Sequence, residues 1–353
     1  MTSRQEQNSG TREVSEAHRF DEARLGDWMS SHVEGFHGPL TVRQFKGGQS
    51  NPTYLIETPG LNYVLRRKPP GKLLQSAHAV DREFQVISAM YAADFPVPRP
   101  YAFCKDEEVV GTVFFVMAQV EGRIFWDLSL PDSNPAERAA IYDDVNKTIA
   151  RLHATDYKAL GLGDFGKPGN YFERQISRWI SQYRASQTNA VAAMDALIDW
   201  LPENIPDDES SSIVHGDFRL DNVIIHATEA RVVAVLDWEL STIGHPLADF
   251  TYHLLPWQMP ELGIGSVGLL GKDLAALGIP SEQEYVEKYC ARTGRSDIPH
   301  RGFYSAFNLF RLAAILQGIA GRVRDGTAAS AHARQAEKSV APLAELGLQF
   351  ARC

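Results

Sequence analysis

The chain has 353 residues and carries 35 Lys and Arg against 44 Asp and Glu, a formal net charge of −9. That acidic balance argues against a nucleic-acid partner, because phosphate backbones need clustered cations. Hydrophobic residues at 44% and charged ones at 22% are ordinary for a globular protein, and the length suits about two cores.

The cysteines Cys104, Cys290 and Cys353 lie too far apart for a disulfide framework or a zinc spacing, which suits a reducing compartment. Met1 to Glu16 has no apolar segment of the kind a signal peptide needs. No unbroken apolar run approaches the roughly 20 residues that span a bilayer. The expectation is a cytoplasmic chain with no membrane partner.

Residues 1–17 carry almost no large apolar side chains and are expected to form a disordered tail. Phe20 to Val33 has helical spacing at Phe20, Leu25, Trp28, Met29 and His32. Leu40–Phe45, Thr53–Glu57 and Asn62–Arg67 then alternate and predict a three-strand meander. Its first connection holds Gly47, Gly48, Gln49, Ser50 and Asn51. Backbone N–H groups there, with the Ser50 hydroxyl, suit a triphosphate, although paired glycines in a hairpin are more often a plain turn. On the third strand, period-two alternation puts Val64 and Arg66 on one face. Arg66, with Lys68 as second candidate, is the cation placed to meet α- and β-phosphates, a task for which a kinase uses Lys. Ala77–Ala93 predicts a helix with Val86, Ile87 and Met90 on one stripe and Glu83 on the same side. A carboxylate facing the apolar side needs a partner, and Arg66 is the expected one.

Tyr101–Cys104 and Thr112–Val120 bring the sheet to about five strands, the latter apolar from Val113 to Ala118 as a central strand should be. The periodicity then turns helical, so a hinge is expected here. Backbone groups of Ala118, Gln119 and Val120 would meet an adenine edge, with Val64 and Met117 against the ring. Pro135–Asp156 is amphipathic with Asn134 as its cap, and Leu152-His153 near its end reads as packing. Tyr171–Leu201 gives two helices bearing Trp179, Tyr183, Met194 and Trp200, a wall for a substrate pocket.

The richest chemistry follows in Ile213–Asn222, which reads I-V-H-G-D-F-R-L-D-N. The β-branched runs Val223–Ile225 and Val232–Leu236 predict a hairpin that brings Asn222 and Asp237 to one end, beside Asp217. This is the layout of a kinase catalytic loop followed by a metal-binding Asp. Asp217 would accept the proton of an acceptor hydroxyl, and Arg219 would reach the transferring phosphoryl group as a fixed cation. Asn222 and Asp237 would offer oxygen ligands to Mg2+, with ATP (or GTP) supplying phosphates. Trp238-Glu239-Leu240-Ser241 stands where a protein kinase has Phe-Gly. Asp249, in the helix opened by Gly244–Asp249, is placed to brace the loop through backbone N–H groups. Helices at about 281–294, 299–321 and 329–350 finish the chain, and His245, His253 and His300 have no metal-ligand spacing. The expected class is α+β, a protein-kinase-like two-lobed fold. It comprises a small antiparallel-sheet N-lobe over 18–118 and a mostly helical C-lobe over 119–353.

These segments together resemble the aminoglycoside phosphotransferase family of kinase-like enzymes over about residues 38–330. H-G-D-F-R-L-D-N at 215–222 and L-D-W-E at 236–239 carry the resemblance, supported by the Gly47-Gly48 loop and Glu83. F-K-G-G-Q-S-N-P-T-Y-L at 45–55, Y-V-L-R-R-K-P-P-G-K-L-L at 63–74 and D-W-E-L-S-T-I-G-H-P-L-A-D at 237–249 narrow it. They are similar to the kinase-like portion of acyl-CoA dehydrogenase family members ten and eleven. That branch implies a small-molecule acceptor, a hydroxyacyl-CoA, with 4-hydroxyacyl chains phosphorylated on the way to breakdown. Arg67, Lys68, Lys72 and Arg99 are the cations that would meet CoA phosphates. A chain ending near 353 is expected to hold no dehydrogenase domain and no flavin. Arg66 stands where the broader family has Lys. An aminoglycoside- or choline-type kinase and a nucleotide-binding pseudokinase stay open as alternatives, and a homodimer is one open arrangement.

Overall fold

The computed structural model of the chain describes residues 5, 8–47, 51–69, 79–260, 268–324 and 331–352. Gly48, Ser50 and Lys72 lie outside the described residues. In chain order the described strands begin with β1 (Thr11–Arg12), β2 (Thr41–Phe45), β3 (Thr53–Glu57), β4 (Tyr63–Arg67), β5 (Pro100–Cys104) and β6 (Phe114–Ala118). They continue with β7 (Ser212–Val214), β8 (Val223–Ile225), β9 (Val232–Val235) and β10 (Thr242–Gly244). The helices begin with α1 (Glu22–His32), α2 (Val80–Ala92), α3 (Pro135–Ala154), α4 (Tyr171–Ser186) and α5 (Ala192–Glu203). After them come α6 (Pro246–Gln258), α7 (Leu274–Leu277), α8 (Glu282–Thr293), α9 (Arg301–Arg324) and α10 (Ala331–Ala351).

Two compact units emerge. One combines Met1–Leu130, Tyr157–Phe165 and Arg219–Ser241; the other combines Pro131–Asp156, Gly166–Phe218 and Thr242–Cys353. The first is built on an antiparallel sheet of order β1-β2-β3-β4-β6-β5. Leu25 and Met29 from α1 join Tyr54, Ile56, Tyr63, Leu65, Phe114 and Val116 in its core. Asp21 caps α1 by accepting the N–H groups of Ala23 and Arg24. On α2 the predicted stripe of Glu83, Val86, Ile87 and Met90 is buried.

Within the tail over 1–17 expected to be disordered, Gly10–Arg12 is instead ordered against the sheet. Thr11 pairs with Phe45 and Arg12 with Gln44, adding a sixth strand, and the Lys46 N–H binds the Gly10 carbonyl at 3.1 Å. The free edge of β2 supplies these backbone partners without any apolar pattern in the tail. Arg67 also differs from expectation. It is 3% exposed, donates to the carbonyls of Val110 and His18, and lies over the rings of Phe20 and Tyr54. Its guanidinium is therefore a core element and not a phosphate contact.

A single cut at 118/119 does not describe the units, because the β8–β9 hairpin joins the first. Arg123 and Ile225 exchange backbone hydrogen bonds at 2.7 and 2.9 Å, and the Val235 N–H binds the Pro96 carbonyl at 2.8 Å. Trp238 anchors the far end, its indole N–H on the Val235 carbonyl at 2.9 Å and its ring edge-on to Phe95. Gly122 allows this docking, since a Cβ there would lie 2.4 Å from the Ile225 carbonyl oxygen.

The second unit is mostly helical, with β7 and β10 forming a two-stranded ladder. Asn134 caps α3 by accepting the Glu137 N–H at 3.0 Å. Arg301–Arg322 is long and apolar enough to cross a membrane by length and composition alone, although Asn308, Arg311 and Gln317 interrupt it. It is 72% buried inside the protein, as the core helix of a helical unit would be.

Gly122→Ala should destabilise the first unit by about 1–3 kcal/mol through overpacking against the Ile225 backbone. Urea titration of the variant checks this, and an unchanged midpoint contradicts the close approach.

Candidate active site

The His215-Gly216-Asp217 turn is held from one face of α6. Asp249, 3% exposed, accepts the His215 N–H at 2.7 Å on one oxygen and the Gly216 N–H at 2.8 Å on the other. Gly216 has φ +84°, a conformation that side chains disfavour, so glycine suits this turn. His153 of α3 approaches Asp249 with Nε2 at 3.3 Å, and its Nδ1 meets the Tyr289 hydroxyl at 2.8 Å. Burial raises the Asp249 carboxyl, but the His153 contact and the His215 N–H bring it below the ordinary carboxylate range.

The loop is gripped at three further points. The Tyr252 hydroxyl donates to the Asp217 carboxylate at 2.8 Å. Arg311 of α9 donates to the Gly216 carbonyl at 2.6 Å. His253 Nδ1 meets the Phe218 carbonyl at 3.1 Å and its Nε2 meets the Tyr285 hydroxyl at 2.8 Å. A carbonyl only accepts, so Nδ1 carries the proton and Nε2 accepts from Tyr285. Burial accordingly pushes the His253 pKa down to about 4.

In the first unit the sequence-predicted residues Arg66, Glu83 and Asp237 come together. Arg66, 6% exposed, donates from Nε to Glu83 at 2.8 Å, as expected, and from Nη2 to Asp237. Glu239 lies 3.6 Å from the same Nη2 and accepts the Asn51 amide N–H at 3.0 Å. Burial opposes the Arg66 charge, yet Glu83, Asp237 and Glu239 hold its pKa above the ordinary arginine value. Burial likewise raises Glu83 above the usual carboxylate range, with Arg66 as the opposing pull.

Asn222 and Asp237 share one end of the hairpin, because Val223 pairs with Val235 and the Leu236 N–H binds the Asn222 carbonyl at 2.8 Å. Asp237 has φ 65°, a left-handed conformation uncommon outside glycine. One amide and one carboxylate fit a magnesium ion that draws its other ligands from phosphates and water. Among the described residues no group of three or more His, Cys, Asp or Glu could hold a metal by itself.

The other predicted site residues divide. Val64 pairs directly with Met117 across β4 and β6, at 7% and 8% exposure. The Ala118 N–H binds the Arg99 carbonyl at 2.8 Å and the Gln119 N–H binds the Asn62 carbonyl at 3.2 Å. Those two donors are thus engaged beside the strand ends, which leaves Val120 and the carbonyls of this stretch for the expected adenine contact. A Cβ on Gly47 would lie 3.3 Å from the Asn8 carbonyl oxygen, so the ordered tail abuts that turn. Arg219 pairs with Asp221 at 3.3 Å and is 42% exposed. Arg99 pairs with Glu34 at 2.5 Å.

Sequence reading missed Tyr252, Arg311, His153 and Glu239. Tyr252 had a local signal, lying three residues after Asp249 and so on the same helical face, and Glu239 stands in the L-D-W-E motif without a role assigned to it.

A family model described as "Phosphotransferase enzyme family" matches residues 41–271. The chain is 45% identical over 353 residues to acyl-CoA dehydrogenase family member 11 of Gallus gallus, a match covering 97% of this chain and 45% of the relative. It therefore spans under half the length of that relative. A Ralstonia eutropha structure provisionally named an aminoglycoside phosphotransferase is 53% identical, with TM-score 0.87 and coverage of 95% of this chain and 99% of that one. Spectinomycin phosphotransferase, solved with ADP and spectinomycin, shares the fold at TM-score 0.64 and 11% identity, covering 94% and 99% of the two chains. The fold is thus protein-kinase-like, with an antiparallel-sheet N-terminal region and a helical remainder.

Acid should weaken the second unit in a defined window. Burial also lowers the His245 pKa to about 4, as it does for His253. The unfolded chain, with histidine near 6.5, takes up these protons first, so stability is full above pH 6.5 and falls as the pH drops toward 4. The slope is about 1.4 kcal/mol per pH unit per histidine. Asp249 adds a loss only at lower pH, below the unfolded carboxyl value. Urea midpoints between pH 7 and 4.5 check this; His253→Gln should flatten the dependence, and a flat wild-type profile contradicts it.

Proposed function

This chain belongs to the phosphotransferase enzyme family, and we propose that it moves the γ-phosphate of ATP (or GTP) to the hydroxyl of a hydroxyacyl-CoA. Membership and fold make it a small-molecule kinase; the acceptor is the inference. The observation that carries it is the set of arginines near Trp179 and near Tyr252, whose hydroxyl holds Asp217. Arg311 lies 5.1 Å from the Tyr252 ring and 5.8 Å from the Trp179 ring, and Arg178 lies 5.6 Å from that indole. Burial raises the Tyr171 phenol, while Arg311, Arg174 and Arg178 pull it down and Asp249 adds to the rise. Both Asp249 oxygens already hold backbone N–H groups. Cationic surroundings suit an acceptor bearing carbonyl and phosphate oxygens and disfavour a polycationic aminoglycoside. The acyl-CoA name of the Gallus gallus relative points the same way.

In this reading Asp217 takes the proton from the acceptor hydroxyl as its oxygen bonds to the γ-phosphorus and the nucleoside diphosphate leaves. Asn222 and Asp237 would hold magnesium, which when bound neutralises charge on the phosphates. Arg66, kept charged by its carboxylates, turns a guanidinium edge to the α- and β-phosphates, with Glu83 fixing the other edge. Val64 and Met117 form the apolar surface against the base. Arg219 supplies positive charge near the transferring group.

Turnover with Mg·ATP against 4-hydroxyacyl-CoAs, choline and aminoglycosides tests the acceptor, and phosphorylation of the CoA esters is expected. Asp217→Ala should lose about two to four orders of magnitude in rate and still bind Mg·ATP. Asp237→Ala should weaken metal-dependent nucleotide binding itself. Unchanged turnover in either variant removes that residue from its role. Preferential phosphorylation of aminoglycosides overturns the acceptor, and tight nucleotide binding without product in any lane marks a pseudokinase.

A further inference from the structure

We propose that Tyr252 is a positioning residue for phosphoryl transfer, its hydroxyl setting the direction of the Asp217 carboxylate. This rests on Asp217 being the base. The residues of α6 and α9 that meet this loop have separate tasks. Asp249 fixes the N–H groups of His215 and Gly216, His253 fixes the Phe218 carbonyl, and Arg311 fixes the Gly216 carbonyl. All of these hold backbone. Tyr252 instead reaches the functional side chain, donating to Asp217 Oδ1 at 2.8 Å.

Such a contact has a mechanical consequence. The second torsion of an aspartate is broad and two-fold, so a fixed backbone does not by itself set the direction of its carboxylate. A phenol donor on one oxygen restricts that rotation and fixes the plane in which the other oxygen meets an acceptor hydroxyl. The phenol is itself steadied, since the Arg311 guanidinium lies 5.1 Å from its ring while bonded to the Gly216 carbonyl. Donor and base are thus tied to one turn of the loop through two different atoms. Proton and bond changes stay those of the transfer: the hydroxyl proton passes to Asp217 and the phenol keeps its own.

The test is Tyr252→Phe in the full chain, which retains the ring and its packing. With Mg·ATP, rates are read both with water and with 4-hydroxypentanoyl-CoA as acceptor. The expected result is a fall of about 10- to 100-fold in kcat, as for loss of a hydrogen bond to a charged group, with the KM for ATP unchanged. Adding Tyr252→Phe to Asp217→Asn should change the residual rate little, because the group being positioned is already gone. A crystal structure of Tyr252→Phe should show the Asp217 carboxylate turned, and this readout does not depend on the acceptor. Unchanged kcat, an equal loss in both backgrounds, or a carboxylate that keeps its direction overturns the proposal. If Asp217→Asn itself retains full activity, the base assignment fails instead.

Discussion

A buried carboxylate on α6 holds the H-G-D turn in shape. Asp249 is 3% exposed, and a carboxylate so placed is costly without partners. Both oxygens receive backbone N–H groups from consecutive loop residues, with His153 as a further contact. Hydrogen bonds to a charged acceptor are worth about 1.5–3 kcal/mol each, enough to hold a turn whose glycine sits at positive φ. With the backbone fixed, Tyr252, His253 and Arg311 of the same unit each find a defined atom to bind.

The first unit meets an analogous electrostatic problem with the opposite sign at its centre. Arg66 is a buried guanidinium among Glu83, Asp237 and Glu239. Removing one partner of such a group leaves an uncompensated buried charge, so its members constrain one another. Lys would bring a compact ammonium to this position, whereas the planar fork of Arg lets Nε serve Glu83 while Nη2 serves Asp237. Arg66 thus suits the Glu239 that follows Trp238 in this chain, and its contact with Asp237 is one that nucleotide phosphates would compete for.

Much of this was legible in the sequence because it depends on short-range pattern. Period-two alternation located β2, β3 and β4 and put Arg66 on the face of Val64. Helical spacing put Glu83 on the buried side of α2, and the two apolar runs after Asn222 gave the hairpin that returns Asp237 beside it. What stayed hidden depends on distant partners. Arg67 carries the same basic signature as Arg66, but carbonyls of Val110 and His18 make it a core residue. His153 looked like helix packing until Asp249, 96 positions on, supplied its acceptor. Arg311 reaches the loop from 95 positions away, and two residues of a polar tail become a strand only because β2 offers an open edge.

The most direct measurement is a crystal structure with magnesium and a non-hydrolysable ATP analogue. Expected is a magnesium ion bound by the Asn222 side-chain oxygen and the Asp237 carboxylate, with Arg66 Nη2 moved from Asp237 onto phosphate while Nε stays on Glu83. A nucleotide bound with no metal at Asn222 and Asp237, or with Arg66 still closed on Asp237, would contradict the assignment of this site to phosphoryl transfer.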